Sequence, residues 1–192
     1  MSNNVEQKRI LWIENDKELT DRWLKKFYRR HKQEEFGIKV LRSREDAAAE
    51  LKEHLATYSA LIVDVMLPRD SAAAEQVETL EKQRVQLLDQ LGRAASPDDD
   101  EARRMKDKNI SDIESIDRQL DELTDLGGGV VLLEQLPKSV YPLKLLTIVL
   151  SARTMPNLQA RAKRLVETGK FYWTTKPITA DYVFLLIEKH CG

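Results

Sequence analysis

The chain has 192 residues and one cysteine, Cys191, which excludes an internal disulfide and any cysteine-based zinc site. Seven glycines and six prolines are too few for a low-complexity or disordered chain. No window approaches the ~20 consecutive apolar residues a membrane span requires. The stretch from Met1 to Arg9 is polar and lacks the apolar region of a secretory signal. These absences predict a soluble protein of a reducing compartment, the cytoplasm, with no attachment to membranes.

What is present is 42% apolar residues, enough for a core, and 33% charged residues, above the usual ~25%. The net charge of −1 conceals a division along the chain. Residues 69–126 hold 9 Lys and Arg against 16 Asp and Glu, a net of −7; the remainder holds 22 against 16, a net of +6. The acidic stretch contains one glycine and no aromatic residue. It reads as a 58-residue insertion, 69–126, into a domain made of 1–68 and 127–192, and removing it leaves 134 residues, a common single-domain size.

The flanks alternate short apolar runs with amphipathic stretches. Arg9 to Ile13 is a strand that feeds the polar turn Glu14-Asn15-Asp16. Leu19, Trp23, Leu24 and Phe27 give helical spacing over 17–33, and Gly37 breaks that pattern before a strand at Ile38–Leu41. A helix over Ala47–Leu55 is capped by Ser43, with Asp46 in its first turn. Ala60 to Val63 is a third strand, ending in Asp64. After the acidic stretch, Gly127-Gly128-Gly129 opens a short helix through Leu136. Leu145–Leu150 is a strand ending at Ser151, and Asn157–Glu167 a helix stopped by Gly169. Phe171–Thr174 is a strand ending at Lys176-Pro177, followed by a helix from about Thr179 to Lys189. This order predicts an α/β fold, a parallel sheet with helices on both faces.

Reactive sites of such sheets lie beyond the carboxyl ends of the strands. There this sequence carries Glu14-Asn15-Asp16, Asp64, Ser151 and Lys176. Carboxylates that meet at strand ends invite Mg²⁺, which prefers oxygen ligands and takes one or two carboxylates. A lysine ammonium is a compact positive charge, and a serine hydroxyl can donate to an anionic oxygen. The set suits a phosphoryl group carried on Asp64, since carboxylates form acyl phosphates. Taken singly, an aspartate after a strand is more often a cap or turn residue; the ordered set gives the signal its weight.

The flanks resemble the response-regulator receiver domain of two-component signalling. The matching text is Ile10-Leu11-Trp12-Ile13-Glu14-Asn15-Asp16, Leu61-Ile62-Val63-Asp64-Val65-Met66-Leu67-Pro68, Ile148-Val149-Leu150-Ser151-Ala152 and Trp173-Thr174-Thr175-Lys176-Pro177. The resemblance implies a three-layer, flavodoxin-like (βα)5 sheet of strand order 2-1-3-4-5. It implies that Asp64 accepts phosphate from a histidine kinase or phosphotransfer protein. Glu14 and Asn15 fall at the acidic pair for Mg²⁺, and the Met66 carbonyl would be a further ligand. Ser151 would hydrogen-bond the phosphoryl oxygen, Lys176 would pair with it, and Trp173 falls at the aromatic switch position. The pair is Glu-Asn where two carboxylates are usual, so Mg²⁺ is expected to bind weakly, with Asp16, one residue along, as a possible substitute. The alternative reading is a degenerate receiver that signals by binding alone. A haloacid-dehalogenase-type phosphatase would want a second aspartate two residues after Asp64, where Met66 stands.

Within the acidic stretch, Val77, Leu80, Leu87 and Leu91 are spaced 3, 7 and 4, with Arg84 in the gap of the heptad. Ala94 to Asp100 is a turn, and Ile113, Ile116, Leu120 and Leu123 follow at spacings of 3, 4 and 3, with Ile110 beside them. This predicts an antiparallel two-helix coiled-coil hairpin reaching ~30–37 Å from the domain. Val85 and Leu88 widen the first stripe and offer a second apolar strip. The hairpin is expected to bind a downstream protein partner or to dimerise, and its −7 charge argues against direct DNA binding. With the chain ending at Gly192, just after the last helix, signalling is expected to run through other proteins rather than an attached effector.

Overall fold

The computed structural model describes residues 7–31, 35–93, 100–136, 145–152, 155–165 and 170–191. Five parallel strands form the central sheet: β1 (Lys8–Ile13), β2 (Phe36–Leu41), β3 (Ala60–Asp64), β6 (Leu146–Ser151) and β7 (Lys170–Thr175). Their order is β2-β1-β3-β6-β7, which is 2-1-3-4-5 when only these five are counted. Two short strands, β4 (Met66–Pro68) and β5 (Thr124–Leu126), pair antiparallel in a separate ribbon.

The apolar runs are buried on both faces because helices cover both. Ile10, Trp12, Ile62, Ile148 and Leu150 face α1 (Lys17–Phe27) and α7 (Ala180–Cys191), where Trp23, Phe27, Phe184 and Ile187 complete the packing. Leu11, Ile13, Leu61, Val63 and Val149 face α2 (Arg44–His54) and α5 (Gly128–Glu134). On the same face, α6 (Pro156–Leu165) packs beside α5 through Leu158. Alternation along each strand sends consecutive residues to opposite layers.

Several boundaries differ from the sequence pattern. Gly37 does not stand between elements: it lies inside β2, paired with Arg9, because a parallel neighbour supplies the ladder that local propensity lacks. Helix α1 ends at Phe27, short of the expected 33, with the Tyr28 N–H closing its last turn on the Leu24 carbonyl; residues 32–34 lie outside the described residues. Helix α2 starts at Arg44 instead of Ala47, because Ser43 Oγ accepts the Asp46 N–H at 3.1 Å. The stop at Gly169 and the turn at 94–99 also lie outside the described residues.

Between β4 and β5 run α3 (Ser71–Arg93) and α4 (Asp100–Leu123), packed along one another. Ala72 and Leu123 line one hollow between them, and Gln90 and Asp112 another further out, so the two helices are antiparallel. Val77 and Ile116 are buried in the seam, while Leu80, Leu87, Leu91, Ile113, Leu120 and Leu123 are half-buried. Arg84, in the heptad gap, crosses the seam to Asp117 at 2.6 Å. Val85, Leu88 and Ile110 are exposed, and so is Met105. The ribbon was not anticipated; three-residue strands carry no periodic signal. It ties the hairpin to the domain, helped by an ion pair between Arg44 on α2 and Asp125 on β5.

Candidate functional site

Each chemical residue sits where a strand stops. β1 ends at Ile13, and the next side chain, Glu14, turns into the protein and is wholly buried. β3 ends at Asp64, which is 5% exposed. Lys176 follows β7, and its N–H donates to the Ser151 carbonyl at 2.6 Å. A cis peptide joins Lys176 to Pro177. Parallel pairing of β1 with β3 and of β3 with β6 brings these ends side by side.

Lys176 Nζ donates to Glu14 Oε2 at 2.8 Å and to Asp64 Oδ2 at 3.2 Å. Glu14 Oε1 accepts the Asp16 N–H at 3.3 Å. Asp64 Oδ1 is buried and, among the described residues, has no hydrogen-bond partner. Burial, then the neighbouring Asp64 charge, pushes Glu14 up to about 8, with Lys176 opposing. Burial also raises Asp64, against the pull of Lys176. For Lys176 burial works downward, but the charges of Glu14 and Asp64 outweigh it and hold the ammonium above its ordinary value.

The remaining candidates fall around this triad in different ways. Asn15 is half-buried on the same loop. Asp16 is engaged as the N-cap of α1, where its Oδ1 accepts the Leu19 N–H at 2.8 Å. Met66 opens β4, opposite Leu126. Ser151 is buried at the end of β6, paired in register with Thr175. Trp173 is half-buried, beside Val149 on the face that α2 and α5 cover.

Sequence reading missed Gly129. A Cβ at this position would lie 2.0 Å from the Asp64 carbonyl oxygen, so only glycine lets the start of α5 press against the end of β3. The Gly127 and Gly129 N–H groups both donate to the Val65 carbonyl at 3.2 Å, and Gly127 takes φ +102°, which favours glycine. The run of three glycines was the available signal. A second omission is Glu81 on α3, whose carboxyl interacts electrostatically with Asp16, Lys176 and Asp64. Nothing local to its sequence marks it.

Mg²⁺ binds one or two carboxylates and keeps several waters. Among the described residues no three His, Cys, Asp or Glu side chains converge as a ready cage. The paired carboxylates of Glu14 and Asp64, with one Asp64 oxygen unpartnered in a buried position, nevertheless suit a hard cation of that kind.

No protein-family model matches the chain, and no curated protein matches it in sequence. Among solved structures, a response regulator receiver domain protein (CheY-like) from Methanospirillum hungatei JF-1 is similar at TM-score 0.52 and 11% identity, over 96% of this chain and 93% of that one. The signal receiver domain of an HD domain-containing protein from Pseudomonas fluorescens Pf-5 gives 0.48 and 13%, over 97% and 95%. A response regulator protein from Burkholderia pseudomallei, with a phosphorylated aspartic acid, a calcium ion and citrate, gives 0.45 and 11%, over 94% and 66%. Likeness at such identities concerns the fold: this chain has the CheY-like receiver fold, a five-stranded parallel sheet with helices on both faces. Among the described residues no helix is long and apolar enough to cross a membrane.

Proposed function

We propose that the protein is a phosphoacceptor of a two-component relay, in which Asp64 takes a phosphoryl group from a phosphohistidine of a kinase or phosphotransfer protein. One observation carries this reading: the buried Asp64 holds Lys176 on Oδ2 and leaves Oδ1 unpartnered at the end of β3. In the transfer, Oδ1 attacks phosphorus, the P–N bond breaks, and its electron pair leaves with the imidazole. The carboxylate becomes an acyl phosphate. Lys176, on the other oxygen, offsets charge on the transferring group. Glu14, Asp64, the Met66 carbonyl and the Asn15 amide are the groups that would hold Mg²⁺, which supplies charge neutralisation at the phosphoryl oxygens. Asp16 is committed to capping α1 and serves the site through its N–H to Glu14.

Ser151 and Trp173 fit the readout. Ser151 ends the strand beside Asp64's strand, and Lys176 is fastened to its carbonyl. A shift of the Ser151 hydroxyl toward a phosphoryl oxygen would move the β6–β7 end and the half-buried Trp173 with it. The hairpin is the output element, offering Val85, Leu88 and Ile110 to a downstream protein. The second reading, a receiver that binds without being phosphorylated, draws on Asn15, which leaves the cation site one carboxylate short.

The test is incubation with Mg²⁺ and acetyl phosphate, followed by intact mass, beside an Asp64→Ala control. Phosphorylation appears as one phosphate on the native chain and none on the variant. Absence of Asp64-dependent phosphate, with no tryptophan fluorescence change on beryllofluoride, refutes the phosphoacceptor reading.

A further inference from the structure

Among the described residues, the large apolar side chains left exposed gather in two places. On the hairpin they are Val85, Leu88 and Ile110, and on α7 they are Tyr182 and Leu185; Met105 and Leu126 stand apart. Single exposed apolar residues are ordinary, whereas grouped ones mark contact surfaces.

The hairpin group occupies one side of the two helices. Gln83 and Gln90 on α3 line a hollow with Asp112 and Ser115 on α4, which defines the opposite side. Residues three and four apart share a helix face, so Val85 and Leu88 turn away from Gln83 and Gln90. The Arg84–Asp117 pair crosses the seam on their side. Along α4 that side reads Asp107, Ile110, Glu114, Asp117 and Asp121, at spacings of 3, 4, 3 and 4. Asp107, Glu114 and Asp121 are exposed and form no ion pair with a described residue. The strip is apolar with an acidic border.

The α7 group has the opposite border. Tyr182, Leu185 and Lys189 are exposed on the outer face of α7, at spacings of 3 and 4. Beside them α1 presents Arg22, Lys26, Arg29 and Arg30. Lys26 and Arg30 both hold Asp181 at 2.6 Å, which sets the two helices edge to edge. Arg22, Arg29 and Lys189 form no ion pair with a described residue.

The hairpin is held away from its own copy of this surface. Its base is fastened to α2 by the Arg44–Asp125 pair and by Ser71 Oγ, which donates to Asp46 at 2.7 Å. Arg42, in the loop after β2, adds a pair with Glu78 at 3.2 Å. Helix α2 covers one face of the sheet, and α1 and α7 cover the other. Two hairpins laid together would set acidic border against acidic border. The occupant with matching chemistry is the α1–α7 surface of a second copy.

We propose that the protein self-associates by laying the Val85–Leu88–Ile110 side of its hairpin on the Tyr182–Leu185 surface of a second copy. Made reciprocally, each copy gives a hairpin and receives one, which closes the assembly as a twofold dimer. The apolar side chains leave water, and the acidic row of α4 meets the basic row of α1, which steers and orients the encounter. The contact does not depend on phosphorylation at Asp64. A downstream protein that takes the same side of the hairpin competes with the second copy.

Sedimentation velocity of the unphosphorylated native chain should show a dimer at low salt that shifts to monomer as salt screens the charges. Glu114→Lys with Asp121→Lys reverses the hairpin border, and Arg22→Glu with Arg29→Glu reverses the α1 border. All four residues are exposed, so circular dichroism should stay native. Each double variant alone should be monomeric. An equimolar mixture should regain the dimer, because the reversed hairpin meets the reversed α1 while the other contact keeps its native pair of surfaces. A monomeric native chain, a dimer that survives either reversal, or a mixture that stays monomeric overturns the proposal. Phosphorylation of Asp64, read by mass, is unaffected by any of these outcomes.

Discussion

Glu14 and Lys176 lie 162 positions apart in the chain and meet at 2.8 Å, with Glu14 wholly buried. That contact joins the ends of β1 and β7 across Asp64, and it opposes the burial that governs how Glu14 titrates.

Glu14 is pushed up to about 8 from an ordinary value of 4.5, first by burial. Between those values the folded state binds a proton that the unfolded state does not, so stability falls as pH rises through this window and levels off above it. Asp64, also raised, adds in the same direction. Urea midpoints measured from pH 5 to 9 should decline toward pH 8, and Glu14→Gln should flatten the slope. A midpoint that rises over that range contradicts the assignment. Cation affinity should rise over the same window, because Glu14 must release its proton to serve as a ligand.

Gly129→Ala introduces a Cβ 2.0 Å from the Asp64 carbonyl oxygen and 2.8 Å from a Val63 methyl. Backbone cannot yield as a flexible side chain does, so the start of α5 must move. We expect a loss of about 1–3 kcal/mol, read as a lower denaturant midpoint, with slower phosphorylation at Asp64. Native stability in the variant would show that the two segments separate freely.

Asn15→Asp adds a carboxylate beside Glu14 on a half-buried loop. Cation affinity follows the ligand charge count, so Mg²⁺ binding should tighten about tenfold by calorimetry. Without the cation, the extra negative charge should raise Glu14 further and lower stability near neutral pH. Unchanged affinity would place Asn15 outside the cation site.

Arg84 interrupts the hairpin seam and is held by a half-exposed pair with Asp117. Exposed pairs contribute about 0.2–1 kcal/mol, less than the ~1.5 kcal/mol or more from burying a leucine. Arg84→Leu should therefore raise the melting temperature or leave it unchanged. A clear loss of helicity by circular dichroism would mean that the ion pair sets the hairpin register.

Deleting residues 71–123 and closing the gap with a short glycine linker keeps β4 and β5 as a hairpin. The sheet and both of its covered faces remain, so the remnant should fold and retain the Lys176–Asp64 geometry. Loss of protein partners or of self-association, seen by light scattering and pull-down, marks the hairpin as the output. Retention of both assigns it no part in binding.

Much of the frame was legible locally. Uninterrupted runs such as Ala60–Val63 and Leu146–Leu150 signal strands buried on both faces, and the charge split marked where two long helices stand between β4 and β5. The strand-end residues Glu14, Asp64, Ser151 and Lys176 were visible because a polar residue after an apolar run is a local feature.

Sequence by itself determined the five strands of the main sheet and the helices between them, their order, and which residue types stand at their ends, since periodicity and chain punctuation act over a few residues. Tertiary structure decided the rest. It assigned Asp16 to a helix cap, paired Lys176 with both carboxylates, and drew Gly37 into a strand. Those outcomes depend on burial and on charges between distant segments, and both exist only once the sheet has closed its register and the helices have excluded water from between its layers.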